Sequence, residues 1–246
     1  MKRNIDRREF LKTAGSAALV MGGLGAVTGC GGGKSEVAGE ELGGGEMTYR
    51  TNAVRGDKVS LLGYGCMRWP MIKDENGKDV VDQETTDRLI DYAIEHGVNF
   101  FDTAPVYLQG QSEAATGRSL KRYPRESYYL STKLSNFSNA SKENSMAMYY
   151  SSLKNLQTEY LDYYLLHSLS GLDSFNSRFG STGIMDFLLE ERKAGRIRNL
   201  GFSFHGSAEG FDEMMALHEK YHWDFVLIQL NYIDWRHAGG RNATAE

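Results

Sequence analysis

Four side chains of complementary chemistry lie at the ends of short apolar runs. VNFFDTAPVY (residues 98–107) carries Asp102 and Tyr107, YYLSTK (residues 128–133) ends on Lys133, and LDYYLLH (residues 161–167) ends on His167. Together they suit delivery of a proton to an oxygen near neutral pH. An unperturbed tyrosine titrates at about 10, too high for easy donation, so a cation must stand beside it to stabilise the charge left on its oxygen. Lys133 supplies that cation, Asp102 keeps the lysine charged and oriented, and His167 donates a hydrogen bond to the oxygen that receives the proton. Taken singly, each is ordinary: an aspartate after a strand caps a helix, and a histidine sits half-buried with its bonds satisfied. The set reverses that reading. Positions 102, 133 and 167 are 31 and 34 residues apart, the length of one strand, one helix and their loops.

Units of that length predict a parallel barrel in which successive strands are neighbours and their carboxyl ends meet on one face. Residues 47–59 read as a hairpin around ArgGlyAsp (residues 55–57), closing the amino-terminal end. Strands are expected over residues 60–66, at the 98–107 stretch, and over 128–133, 161–167, 197–203 and 224–230. Helices are expected over residues 83–96, 112–120, 141–157, 184–194 and 211–221. Leu89, Ile90, Ala93 and Ile94 recur at helical spacing in the first, and Gly97 stops it. Residues 171–183, rich in Ser, Gly and Phe, read as a loop that either overhangs the mouth or is plain surface. The fold class is α/β, a (β/α)8 TIM barrel with about six of its eight strand-helix units present. The expectation is a fragment of a longer chain or a truncated product, with two open strand edges and low stability on its own.

GVNFFDTAPVY, YLSTK, YLDYYLLH and GFSFHG, in this order and spacing, resemble the aldo-keto reductase family from about residue 47 to the last residue. GCMRWP (residues 65–70), with GFSFHG and QLNYIDW, is similar to the branch that often carries an iron–sulfur domain at the carboxyl end. The resemblance implies reduction of a small carbonyl compound by hydride from NADPH or NADH, with the proton coming from Tyr107 and with Asp102, Lys133 and His167 in the roles given above. It places Ser203 and Gln229, at the ends of the fifth and sixth strands, against the nicotinamide carboxamide. Asn231 shares that contact if the usual asparagine, which is Phe204 here, is missed. The aromatic that stacks on the nicotinamide and the basic loop that grips the adenosine phosphate are expected beyond residue 246, and Tyr232 reads as loop or core. No GxGxxG element of the other dinucleotide fold occurs. A rival reading is a nucleotide-binding regulatory protein without turnover, and the complete set of four favours an enzyme.

Composition bounds the rest. Cys30 and Cys66 are the two cysteines, too few for a disulfide framework, a closed zinc site or a four-thiolate cluster. No metal site is expected in this sequence, and a 4Fe-4S cluster enters only if a further carboxyl-terminal domain supplies its ligands. Of 246 residues, 41% are hydrophobic, enough for a sizeable core. Without the first 30 residues the chain holds 23 basic and 30 acidic groups, a balance near −7 that gives no footprint for nucleic acid.

Those first 30 residues contain RREFLK (residues 7–12) and then an uncharged run, which resembles a twin-arginine export signal. The apolar part, residues 17–27, is too short for a transmembrane anchor. VTGC (residues 27–30) resembles a lipobox, in which Cys30 becomes the lipidated first residue. Residues 31–46 hold seven glycines and read as a flexible tether. The expected location is periplasmic or membrane-anchored in a bacterium, with residues 47–246 as the barrel domain. The sequence gives no oligomeric state.

Overall fold

The computed structural model describes residues 46–53 and 55–229. Expectations for the leader, the tether, Cys30, Asn231 and Tyr232 lie outside the described residues. The chain opens with an antiparallel hairpin, β1 (Tyr49–Thr51) and β2 (Lys58–Ser60), in which Tyr49 faces Ser60 across the register. Gly56, at φ 77°, makes its turn, as the ArgGlyAsp segment suggested.

β3 (Tyr64–Gly65) is shorter than expected: Ser60 belongs to the hairpin, and Cys66 opens a 3-10 turn, Cys66–Arg68. A second hairpin, β4 (Met71–Lys73) and β5 (Asp79–Val81), was not expected. Its signal was present in Asn76 and Gly77, where Asp74 Oδ1 accepts from Asn76 N and Gly77 takes φ 75°.

Thereafter strands and helices alternate. α1 (Gln83–Glu95) starts at Asp82, whose side chain accepts from Thr85 N, and stops before Gly97 at φ 84°. β6 (Phe100–Asp102) leads through a 3-10 turn, Tyr107–Gly110, into α2 (Ser112–Leu120). β7 (Tyr129–Leu134) is followed by α3 (Lys142–Leu156), capped by Ser141. β8 (Leu161–Leu169) comes next.

Within residues 171–183, residues 172–180 are helical rather than a loop, which corrects the expectation. They form α4 (Leu172–Phe175) and a π-helical turn, Asn176–Gly180. Phe175 and Phe179 in that run are buried, and burying two rings one turn apart drives the segment to coil. α5 (Ile184–Lys193) and β9 (Ile197–Phe204) follow. The last expected helix is two pieces, α6 (Ala208–Ala216) and α7 (His218–Tyr221), before β10 (Phe225–Ile228).

Six strands pair in parallel in the order β10-β9-β8-β7-β6-β3, so each strand lies beside its sequence neighbour in the barrel series. β8, in the middle, is buried on both faces and reads as a nearly continuous apolar run. The core between strands and helices includes Phe101, Leu130, Leu134, Tyr149, Leu166 and Phe202. The concave face lines a cavity of about 410 Å³ between Phe100, Tyr163, Leu165 and Phe225. Apolar side chains stand exposed near both edges of the sheet: Leu61 and Leu62 just before β3, Leu227 and Ile228 on β10.

α2 and α3 touch at Gly117. A Cβ placed there meets the carbonyl oxygen of Asn155 and lies 2.7 Å from Leu156 Cα, so only glycine lets the two helices approach this closely. Gly117→Ala is expected to lower stability by about 1–3 kcal/mol, seen as a lower urea midpoint with an unchanged slope.

Candidate active site

Parallel pairing carries the carboxyl-terminal end of each strand to one rim. Asp102 ends β6 in register with Ser131, and Lys133 is in register with Leu165, two residues before His167. Along β7 the side chains alternate. Ser131 and Lys133 face the concave side, while Leu130, Thr132 and Leu134 face the helices.

Lys133 is 1% exposed, and a buried ammonium is tolerable only when its charge and its protons are met. Asp102 Oδ2 accepts from its Nζ at 2.5 Å and the Thr103 carbonyl at 2.8 Å. The other carboxylate oxygen of Asp102 accepts from Ser131 Oγ at 2.8 Å. The Tyr107 ring centroid lies 5.0 Å from Lys133 Nζ, and the ring stands edge-on to His167 at 5.8 Å. The four residues picked from the sequence therefore share one rim. Beside two of them the backbone is forced. Leu108 and Gln109 take φ 51° and 55° just after Tyr107, and Ser168 takes φ 57° just after His167, the kind of local strain that persists only where surrounding structure over-determines it.

His167 is nearly buried, and Ser135 Oγ lies 2.6 Å from its Nδ1. Burial, reinforced by the charges of Lys133, Arg178 and His205, lowers the imidazole to about 3, so His167 is neutral at physiological pH. Phe137 packs on the ring at 5.1 Å. Arg178, from the π-helical turn, donates through Nη1 to the His167 carbonyl at 2.6 Å and stacks on Phe137, 4.4 Å from its centroid. Behind the rim Glu113 is buried in α2. Burial raises its carboxyl even though Thr132 Oγ1 donates to it at 2.7 Å. Cys66 is also buried, which pushes its thiol up, so it is no ready nucleophile.

The positions expected to meet a nicotinamide are placed less uniformly. Ser203 is buried, and its Oγ accepts from Ser168 N at 2.7 Å, so it ties β9 to the end of β8. Gln229 is exposed just past β10, and its side chain lies toward His205, where it favours the charged imidazole. His205 is half-buried; burial lowers its imidazole, and the Lys133 charge adds to that.

Four contributors escaped the sequence reading. Ser131 and Ser135 lie two residues either side of Lys133, and alternation continued one residue past the end of β7 puts them on the same face, a signal that was available. His205 follows the fifth strand in GFSFHG. Arg178 gave no signal, because its segment read as a loop.

A half-barrel of parallel strand-helix units thus carries an acid, an amine, a carboxylate and an imidazole on its carboxyl rim. The aldo/keto reductase family model matches residues 61–244. The chain belongs to the aldo/keto reductase family. It is 31% identical over 189 residues to probable aldo-keto reductase 1 of Glycine max, covering 74% of this chain and 50% of that protein. It is 30% identical over 179 residues to aldo-keto reductase YhdN of Bacillus subtilis, covering 70% and 51% respectively. Among solved structures, aldo-keto reductase AKR11C1 from Bacillus halodurans, in its holo form, superposes with a TM-score of 0.52 at 28% identity, over 65% of this chain and 51% of that one. An aldo-keto reductase from Klebsiella pneumoniae in complex with NADPH shares the fold with a TM-score of 0.53 at 23% identity, over 70% and 54%. The chain spans about half the length of the curated relatives it matches.

The depressed imidazole has a consequence for stability. In the unfolded chain His167 takes up a proton as pH falls through its ordinary value of 6.5, whereas in the folded protein it resists protonation down to about 3. Between those values the unfolded state binds more protons, so stability falls as pH is lowered. His167→Asn is expected to flatten this part of the stability–pH curve, measured by urea midpoints across the window.

Proposed function

We propose that the protein is an NAD(P)H-dependent oxidoreductase that reduces an aldehyde or ketone to an alcohol, with Tyr107 as the proton donor. One observation carries the reading: the Tyr107 ring lies within 5.0 Å of Lys133 Nζ and within 5.8 Å of the His167 ring, and Asp102 holds the lysine. The nucleotide bound in the Klebsiella relative is the kind of group this rim suits. A nicotinamide carboxamide calls for hydroxyl and amide partners, and Ser203, His205 and Gln229 stand at the neighbouring strand ends, with Gln229 exposed. Asn231 is proposed to add to them. When bound, the nicotinamide supplies hydride to the carbonyl carbon.

The protein's own groups do the rest. His167, neutral, donates from Nε2 to the carbonyl oxygen and fixes its pose. Tyr107 gives that oxygen its proton. Lys133 stabilises the charge left on the phenol oxygen, and Asp102 and the Thr103 carbonyl stop the ammonium from swinging away. Phe137, half exposed beside His167, offers an apolar wall to the substrate.

Two features outside this site complete the proposal. GCMRWP, GFSFHG and QLNYIDW support placement in the branch with an iron–sulfur domain, whose cluster ligands would come from outside this sequence. RREFLK followed by VTGC supports a signal over residues 1–30, a tether over 31–46 and export by the twin-arginine route of a lipoprotein anchored through Cys30. A route that carries folded cargo suits a barrel that takes up its cofactor in the cytoplasm.

The enzyme reading is tested by NADPH consumption with a panel of aldehydes and quinones, using the full-length protein. Tyr107→Phe is expected to lower kcat by about 10²–10⁴-fold while nucleotide binding persists, and equal rates in the two proteins would remove Tyr107 from the mechanism. Replacing Arg7 and Arg8 by lysine is expected to leave the protein in the cytoplasm. Undiminished export on cell fractionation would count against the signal.

A further inference from the structure

We infer that Ser135 is a positioning residue that locks His167 in the tautomer with its proton on Nε2, while Arg178 clamps the same residue from its backbone. The inference rests on the role proposed above for His167, and it concerns how that ring is made ready.

A neutral imidazole carries one proton, and the hydrogen bond made by one nitrogen decides what the other presents. Two arrangements satisfy the 2.6 Å contact between Ser135 Oγ and His167 Nδ1. In one, the hydroxyl donates to a bare Nδ1, and Nε2 keeps its hydrogen. In the other, Nδ1–H donates to the hydroxyl, and the hydroxyl proton needs an acceptor of its own. Ser135 is 3% exposed, and among the described residues Nδ1 is the one hydrogen-bond partner its Oγ has. The second arrangement therefore strands a buried proton without an acceptor, a cost the first avoids. Nε2 has no hydrogen-bond partner among the described residues, so the hydrogen it carries is left for an arriving oxygen.

The rest of His167 is held as firmly. β8 departs from its register with β9 between Leu166 and Leu169, and Ser168 takes φ 57° there, so His167 sits at an irregularity that re-aims its side chain. Arg178 spans that irregularity, donating through Nη1 to the carbonyls of His167 at 2.6 Å and Ser168 at 3.3 Å, and through Nη2 to Asn136 Oδ1 at 3.2 Å. It has no carboxylate partner among the described residues. Its guanidinium lies 4.4 Å and 4.7 Å from the Phe137 and Phe179 centroids, so it braces the two segments against each other. Ser135 and Asn136 come from the segment after β7, and Arg178 from the turn after β8. The two segments meet around one ring.

The test is long-range ¹H–¹⁵N NMR of the full-length protein labelled at histidine, with the His167 signals assigned by their loss in His167→Asn. The expected result is a pyridine-type Nδ1 and a pyrrole-type Nε2. Ser135→Ala is expected to shift the ring toward a mixture of tautomers and to lower kcat about ten-fold with little change in KM, and Ser135→Thr to restore both. A pyrrole-type Nδ1 in the wild-type protein would overturn the inference, as would an unchanged spectrum in a folded Ser135→Ala. The wild-type spectrum decides it even if the variants fail to fold. It needs no turnover either: the expected tautomer in a protein that oxidises no NADPH would sustain the lock and discard the reductase reading.

Discussion

A lysine ammonium with 1% exposure is the constraint around which this rim is built. Taking a cation out of water costs several kcal/mol even after relaxation, and the cost is offset only by a counter-charge and by acceptors for its protons. Asp102 and the Thr103 carbonyl answer both needs, and Ser131 holds the second carboxylate oxygen so that Asp102 does not turn away. Those partners come from two adjacent parallel strands. The pairing of β6 with β7 and the survival of the buried charge are thus one fact seen at two scales. Tyr107 and His167 are then set around an ammonium that cannot wander.

Much of the architecture was legible in the chain, for identifiable reasons. Gly97 marked the end of α1, and the spacing of Asp102, Lys133 and His167 gave the strand-helix period. The ends of strands were harder. Ser60 and Cys66 look like one strand with Tyr64, yet the hairpin claims Ser60 and a 3-10 turn claims Cys66. The failure at residues 171–183 is more instructive. Ser and Gly suggested a loop, but Phe175 and Phe179 needed burial, and tertiary packing overrode composition.

The site divided in the same way. Residues ending strands were readable because chain spacing alone brings strand ends together. Ser131 and Ser135 required the further step of applying alternation along β7 and one residue past its end. Arg178 was out of reach, since its place on the rim depends on a π-helical turn that propensity does not announce. Ser203 illustrates the opposite limit: it lies at the expected strand end, but its hydroxyl oxygen is engaged by Ser168 N.

Alternation along β7 and into the residue just after it has a consequence for how this protein can vary. A side chain that steadies the carboxylate, the ammonium itself and the hydroxyl beside the imidazole sit at every second position of one segment, at 131, 133 and 135. Deleting or inserting a single residue in β7 just before position 131 would swing all three toward the helices at once and leave a carboxylate facing Leu130, Thr132 or Leu134. A change of length elsewhere on the rim carries no such consequence, whereas residues 131–135 tolerate only substitution in place.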